Sequence, residues 1–147
     1  MKVALGSDHA GFELKQQMKS YLARIGVEVD DQGTDSPDSV DYPDFAKRVA
    51  LEVKTGASER GILFCGTGVG MSIAANKIRG IRAAQVCTVE VARLSRQHND
   101  ANVLCLAGRF IEGRQAEQVI KVWLETPFEG GRHQRRVDKI MALEHTD

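Results

Sequence analysis

Residues 61–72 read GILFCGTGVGMS: a thiol, Cys65, closes an apolar run, and glycines follow at Gly66, Gly68 and Gly70, with Thr67 and Val69 between them. Glycine loops that follow strands often cradle phosphates, yet this spacing fits neither nucleotide loop. A dinucleotide loop needs G-x-G-x-x-G, and Met71 stands at its third glycine position. A P-loop needs G-x-x-x-x-G-K-[ST], and Lys77 comes too late for it. What remains is a set of backbone amides, unobstructed by side chains, at the start of a helix. Such amides favour an anion, including one that forms only during a reaction. A thiol beside them ionises more readily, which suits either acyl transfer or proton abstraction next to a carbonyl. The plain alternative is a cysteine buried at a strand end. Cys87 and Cys105, with no glycine loop behind them, take that plain reading.

Three further groups could do chemistry. Asp8 and His9 follow the first apolar run directly; the alternative is a solvated loop pair. His98 lies in SRQHND near a helix end, where a histidine commonly meets free carbonyls. Arg132 and Arg136 are four apart in EGGRHQRRVDK and would share a helical face, with Val137, Ile140 and Met141 as packing positions. Like charges at that spacing repel, and a shared anion would reverse the sign; the arginine fork suits phosphate. A solvated basic face is the simpler reading of the same residues.

The elements that must position these groups are legible as short β-branched runs alternating with segments of helical period. Strands are expected at 2–5, 27–29, 62–65, 81–86 and 103–107. Helices are expected from Phe12 to Ile25, around Phe45, Val49 and Val53 up to Gly56, and over 71–78, 89–98, 114–125 and 134–143, the last with no strand after it. This alternation predicts right-handed βαβ units: a three-layer α/β/α, Rossmann-like fold around a five-stranded parallel sheet, with ligands at the carboxyl ends of the strands. The residues there are Ser7 to His9, Cys65 to Gly70, Cys87 and Thr88, and Gly108 and Arg109. At 147 residues, with 42% hydrophobic and 27% charged residues, a single domain over residues 1–147 is expected. The net charge of zero gives no electrostatic case for nucleic acid or an anionic membrane surface. No run of about 18 apolar residues is present, and the start MKVALGSDHAG does not resemble a signal peptide. Three cysteines, none at metal-ligand spacing, fit a reduced, cytoplasmic protein without a metal.

Taken together, GSDHAGFELK, DYPDFA, CGTGVGMSIAANK, LSRQHNDANVL and GGRHQRRV resemble the B-type ribose-5-phosphate isomerases, in family order from Lys2 to about Leu143. The wider family includes allose-6-phosphate and galactose-6-phosphate isomerases. The resemblance implies interconversion of an aldose phosphate and a ketose phosphate through a cis-enediolate, with no cofactor. It implies that Cys65 is the base, that the amides of Gly66 to Gly70 hold the enediolate, and that Thr67 positions nearby. It makes His98 the ring-opening acid and base, gives the substrate hydroxyls to Asp8, and has Asn99 orient them. His9, Arg109, Arg132 and Arg136 would bind phosphate and distal hydroxyls; Arg135 falls between the matched arginines and is not carried over. The resemblance further implies a homo-oligomer, a dimer or tetramer with sites built from two subunits, the final helix carrying its arginines toward a partner.

Three rivals are weighed against this reading. A six-carbon isomerase, for allose 6-phosphate, differs only in pocket depth. A sugar-phosphate sensor would use the glycines and arginines but leaves Cys65, Asp8 and His98 without purpose. A cysteine hydrolase would use the thiol, histidine and oxyanion hole but not the phosphate clamp.

Overall fold

The computed structural model describes residues 1–146. The order of elements is β1 (Lys2–Ser7), α1 (Phe12–Arg24), β2 (Glu28–Asp31), α2 (Tyr42–Thr55), β3 (Arg60–Cys65), α3 (Val69–Ala75), β4 (Ala83–Gln85), α4 (Val89–Asn99), β5 (Val103–Ala107), α5 (Gly113–Glu125) and α6 (Arg132–Ala142), then a 3₁₀ turn at Leu143–His145. The five strands form one parallel sheet in the order β2-β1-β3-β5-β4.

Because successive strand residues point to opposite faces, each central strand feeds two cores. Val3, Leu5, Ile62, Phe64, Leu104 and Leu106 face one side, where α1, α4 and α5 cover them with Leu14, Met18, Leu22, Ala92, Ile120 and Trp123. Ala4, Leu63, Cys65, Val103 and Cys105 face the other, under Phe45, Val49 and Ala50 of α2 and Met71 and Ala75 of α3. These are the three layers that the alternation of strands and helices implies.

Element limits differ from expectation where side chains override the local pattern. β2 runs one residue later and longer than expected, through Asp30 and Asp31. Asp31 is tolerated at a strand end because Lys15, fully buried, binds its carboxylate at 2.7 Å and Lys19 binds the other oxygen at 3.0 Å. β4 keeps only three residues of the expected six, since the Arg82 amide is taken by the Asn102 side chain at 2.8 Å rather than by the ladder. α3 begins at Val69, two residues early, because Gly68 at φ +77° turns the chain straight from β3 into the helix. That backbone conformation suits glycine, and a Cβ there would lie 3.2 Å from the Leu106 carbonyl carbon. α6 also begins two residues early, at Arg132.

Candidate active site

Leaving β1, the chain goes by way of α1 to β2 on one side of the sheet; leaving β3, it goes by way of α3 toward β4 on the other. The loops after β1 and β3 therefore diverge, and a crevice opens between them at the carboxyl ends of two adjacent parallel strands. This is where open α/β sheets place their ligands. A pocket of about 450 Å³ lies there, lined by Asp8, His9, Ala10, Tyr42, Cys65, Gly66, Thr67, Val69, Gly70, Ile73 and Arg109.

Each polar group in the crevice is held by the turn that delivers it. Asp8 is buried, and its Oδ1 accepts the Gly11 amide at 3.0 Å as the chain enters α1. Gly11 is required there: a Cβ would sit 2.3 Å from the Phe64 carbonyl oxygen. The Nδ1 of His9 accepts the Val40 amide at 3.2 Å. That bond leaves Nε2 as the protonated nitrogen of a neutral ring, free to donate to a ligand. The Asp8–His9 pair is thus built into the structure rather than a solvated loop.

Cys65 is 4% exposed at the end of β3, and the Gly68 amide donates to its Sγ at 3.1 Å. The Val69 amide is taken by Thr67 Oγ1 at 3.2 Å. Two amides of the glycine loop are therefore engaged within the loop itself. The loop is braced from β5: Gly108 N–H donates to the Cys65 carbonyl at 2.7 Å and Arg109 N–H to that of Gly66 at 3.1 Å. The Arg109 guanidinium lies against Gly66, where a Cβ would come within 3.2 Å of Nη1.

The other cysteines divide. Cys105 is completely buried in β5, and burial, followed by the neighbouring Cys65, pushes its thiol far above the ordinary range. It is a core residue, as expected. Cys87 is not buried at a strand end: it is exposed beyond β4, because that edge strand stops at Gln85.

The remaining expected site residues lie outside this pocket in the chain. His98 sits in the last turn of α4, a helix whose start is capped by Thr88 Oγ1 accepting the Val91 amide at 3.2 Å. Its ring does not cap that helix; it stacks on His133 of α6, with centroids 4.2 Å apart and planes 12° from parallel. Asn99 lines a separate cleft of about 780 Å³ between the end of α3, β4 and the end of α6. Arg132, Arg135 and Arg136 are exposed on α6, while His133 and Val137 turn inward. Ile140, expected to pack, is 43% exposed, and Leu143 is 67% exposed.

Tyr42 is a pocket residue the spacing of motifs did not single out. Its ring lies where a Cβ on Gly70 would approach it to 2.7 Å, so it roofs the glycine loop from the start of α2. DYPDFA contains it, but nothing in the motif distinguishes a pocket tyrosine from a helix-start tyrosine.

Among the described residues, His98, Glu129 and His133 carry potential metal-ligating atoms within 4.8 Å of one another. The two imidazoles are nearly parallel and stacked. A metal lies close to the plane of each imidazole that binds it, so one ion cannot serve both rings while the stack persists.

Residues 3–140 match the family described as Ribose/Galactose Isomerase. The chain is 50% identical over 143 residues to ribose-5-phosphate isomerase B of Escherichia coli, covering 97% of this chain and 96% of that protein. Among solved structures it is similar to Clostridium thermocellum ribose-5-phosphate isomerase B, with TM-score 0.98 and 50% identity over 99% of this chain and 98% of that one. It is also similar to Mycoplasma genitalium ribose-5-phosphate isomerase B with bound ribulose-5-phosphate, with TM-score 0.95 and 44% identity over 99% of this chain and 97% of that one.

Proposed function

The chain belongs to the ribose/galactose isomerase family, and from that premise we propose that it interconverts ribose 5-phosphate and ribulose 5-phosphate through a cis-enediolate. The observation that carries this reading is the Cys65 thiol, held by the Gly68 amide at the wall of a switch-point pocket that also presents Asp8, His9 and Arg109. A relative at 44% identity was solved with ribulose 5-phosphate bound.

The chemistry divides among the residues as follows. His98 opens the furanose by taking the anomeric hydroxyl proton and returning a proton to the ring oxygen. The Cys65 thiolate then removes the C2 proton, and the electron pair moves to make the C1–C2 double bond and an oxyanion on O1. Amides of Gly66, Thr67 and Gly70 donate to that oxyanion, while the Gly68 amide serves the sulfur. Asp8 carries the proton from the C2 hydroxyl to O1, which leaves a carbonyl at C2, and Cys65, whose proton exchanges with solvent, protonates C1. His9, Arg109, Arg132 and Arg136 clamp the phosphate and distal hydroxyls, and Asn99 orients the hydroxyls. Positioning of this kind can contribute about 7–11 kcal/mol toward the barrier, and a placed base about 10²–10⁴-fold in rate.

His98, Asn99, Arg132 and Arg136 do not line the pocket of their own chain, and in this reading a second copy of the chain supplies them. The reading therefore includes a homo-oligomer with sites shared between subunits. Its support is the exposed apolar set flanking both halves: Val69 and Ile73 on α3, Ile140 on α6, and Leu143 beyond it. No helix among the described residues is long and apolar enough to cross a membrane; the reading places the enzyme in the cytoplasm.

The test is proton NMR of ribose 5-phosphate in D₂O with the purified chain, beside Cys65→Ala. The expected result is solvent deuterium at C1 of the ribulose 5-phosphate formed, with turnover in Cys65→Ala lower by about 10²–10⁴-fold. Turnover without any deuterium entering from solvent would indicate hydride transfer and overturn the enediolate route.

A further inference from the structure

We propose that His133 is a positioning residue for His98: its buried imidazole is the platform against which the ring-opening histidine is held. The inference rests on the role of His98 given above. His133 is 7% exposed in the first turn of α6 and presents one face to the His98 ring, with centroids 4.2 Å apart and planes within 12° of parallel. The platform is itself anchored. Glu129 Oε2 lies 3.5 Å from His133 Nε2, and the Glu129 amide donates to the Gln97 carbonyl at 3.1 Å, tying the approach to α6 to the turn that carries His98. That turn is fixed from its other side: Arg82 Nε donates to the Asn99 and Asp100 carbonyls at 3.1 and 3.0 Å, and Arg96 Nη1 to the Ala101 carbonyl at 2.7 Å.

Stacking suits this task for a chemical reason. It fixes the plane of a ring without using either nitrogen, so both nitrogens of His98 stay free to take up and return protons. A hydrogen bond to His98 would orient it at the expense of one of them. The partner should also be uncharged, because two stacked imidazolium ions would repel. Burial, then His98, Arg132 and Arg136, hold the His133 pKa below the ordinary histidine value, against the opposing pull of Glu129. A neutral His133 can therefore face His98 in either of its protonation states.

The experiment separates ring opening from the proton transfer that follows. Ribose 5-phosphate is cyclic in solution. Erythrose 4-phosphate has its terminal oxygen esterified, cannot close a five-membered ring, and needs no ring-opening group. Wild type, His98→Ala, His133→Ala and His133→Phe are assayed on both sugars. In His133→Ala, kcat on ribose 5-phosphate should fall about tenfold or more with KM little changed, because small misplacements of a catalytic group are costly, while the four-carbon rate stays within about twofold. His133→Phe, which keeps a flat ring beneath His98, should recover most of the loss. Equal losses on the two sugars in His133→Ala, or no loss on either, would overturn the proposal. A His98→Ala variant without the split would remove the ring-opening role and the proposal with it. Should erythrose 4-phosphate not be turned over, the decisive readout is ribose 5-phosphate alone. A kcat loss in His133→Ala that His133→Phe restores supports the platform; failure of the aromatic to restore it does not.

Discussion

At the scale of residues, the site depends on small differences between chemically identical groups. Cys65 and Cys105 are both buried cysteines on the same face of neighbouring strands. Only Cys65 stands at a strand end where a left-handed glycine, Gly68, swings an amide onto its sulfur. Cys105 lies mid-strand, and desolvation keeps it protonated. The arginines divide in a similar way: Arg82 and Arg96 are committed to backbone carbonyls around Asp100, whereas Arg132 and Arg136 are exposed on α6. We expect Arg136→Ala to lower kcat/KM for ribose 5-phosphate about ten- to a hundredfold, the range for one charge-assisted hydrogen bond worth about 1.5–3 kcal/mol. Thermal stability should change little, since the side chain is solvated in the chain. Steady-state kinetics with unchanged kcat/KM would remove Arg136 from the phosphate clamp.

At the scale of elements, the carboxyl end of β2 is pinned by charge rather than by apolar packing. Lys15 projects from α1, is fully buried, and reaches both the Asp31 carboxylate at 2.7 Å and the Thr34 carbonyl at 2.6 Å. Burial works to raise the Asp31 pKa, but the bonds from Lys15, the Gly33 amide and Lys19 outweigh it and hold the group below its ordinary value. A carboxyl whose pKa is lowered by folding contributes stability above its unfolded-state pKa and loses it as pH falls through the folded value. The contribution of Asp31 is therefore complete near neutrality and is lost in acid, below about pH 4. Asp31→Ala leaves a buried ammonium uncompensated, a loss of about 3–5 kcal/mol. Urea unfolding at pH 7 should show that loss, and the gap to wild type should narrow at pH 3; a gap independent of pH would contradict the ion-pair account. The same pair explains why β2 outruns its sequence pattern. Aspartates are poor strand formers, and the two lysines arriving from α1, with the Gly33 amide, make Asp31 acceptable at the strand's end.

At the scale of the whole molecule, the proposed catalytic groups fall into two sets on one chain. Asp8, His9, Cys65, Thr67 and Arg109 line the pocket, while His98, Asn99, Arg132 and Arg136 lie at the ends of α4 and α6 outside it. If a two-fold dimer joins one set to the other, two inactive variants should complement. Mixing Cys65→Ala with His98→Ala chains through reversible unfolding, or by co-expression, gives hybrid dimers with one doubly damaged site and one intact site. Random assortment should then restore about a quarter of wild-type activity. Activity no higher than that of the separate variants would mean that each chain builds its own site.

The sequence by itself determined the layering of the fold and the make-up of the glycine loop. Short apolar runs set between helical segments dictate parallel strands buried on both faces, and the spacing of Gly66, Gly68 and Gly70 behind Cys65 excludes nucleotide loops while providing amides for an anion. These are local properties, written in neighbouring residues. Tertiary structure decided what depends on residues far apart in the chain. Tyr42 becomes a roof over Gly70 only when α2 packs beside α3. β4 shortens because Asn102 intercepts the Arg82 amide, Cys87 is left exposed past its end, and Ile140 stays uncovered on α6. His98 meets His133 because α6 crosses the end of α4. A stretch of sequence carries its own periodicity and turn chemistry, but the surface a side chain finally meets is set by the elements folded against it.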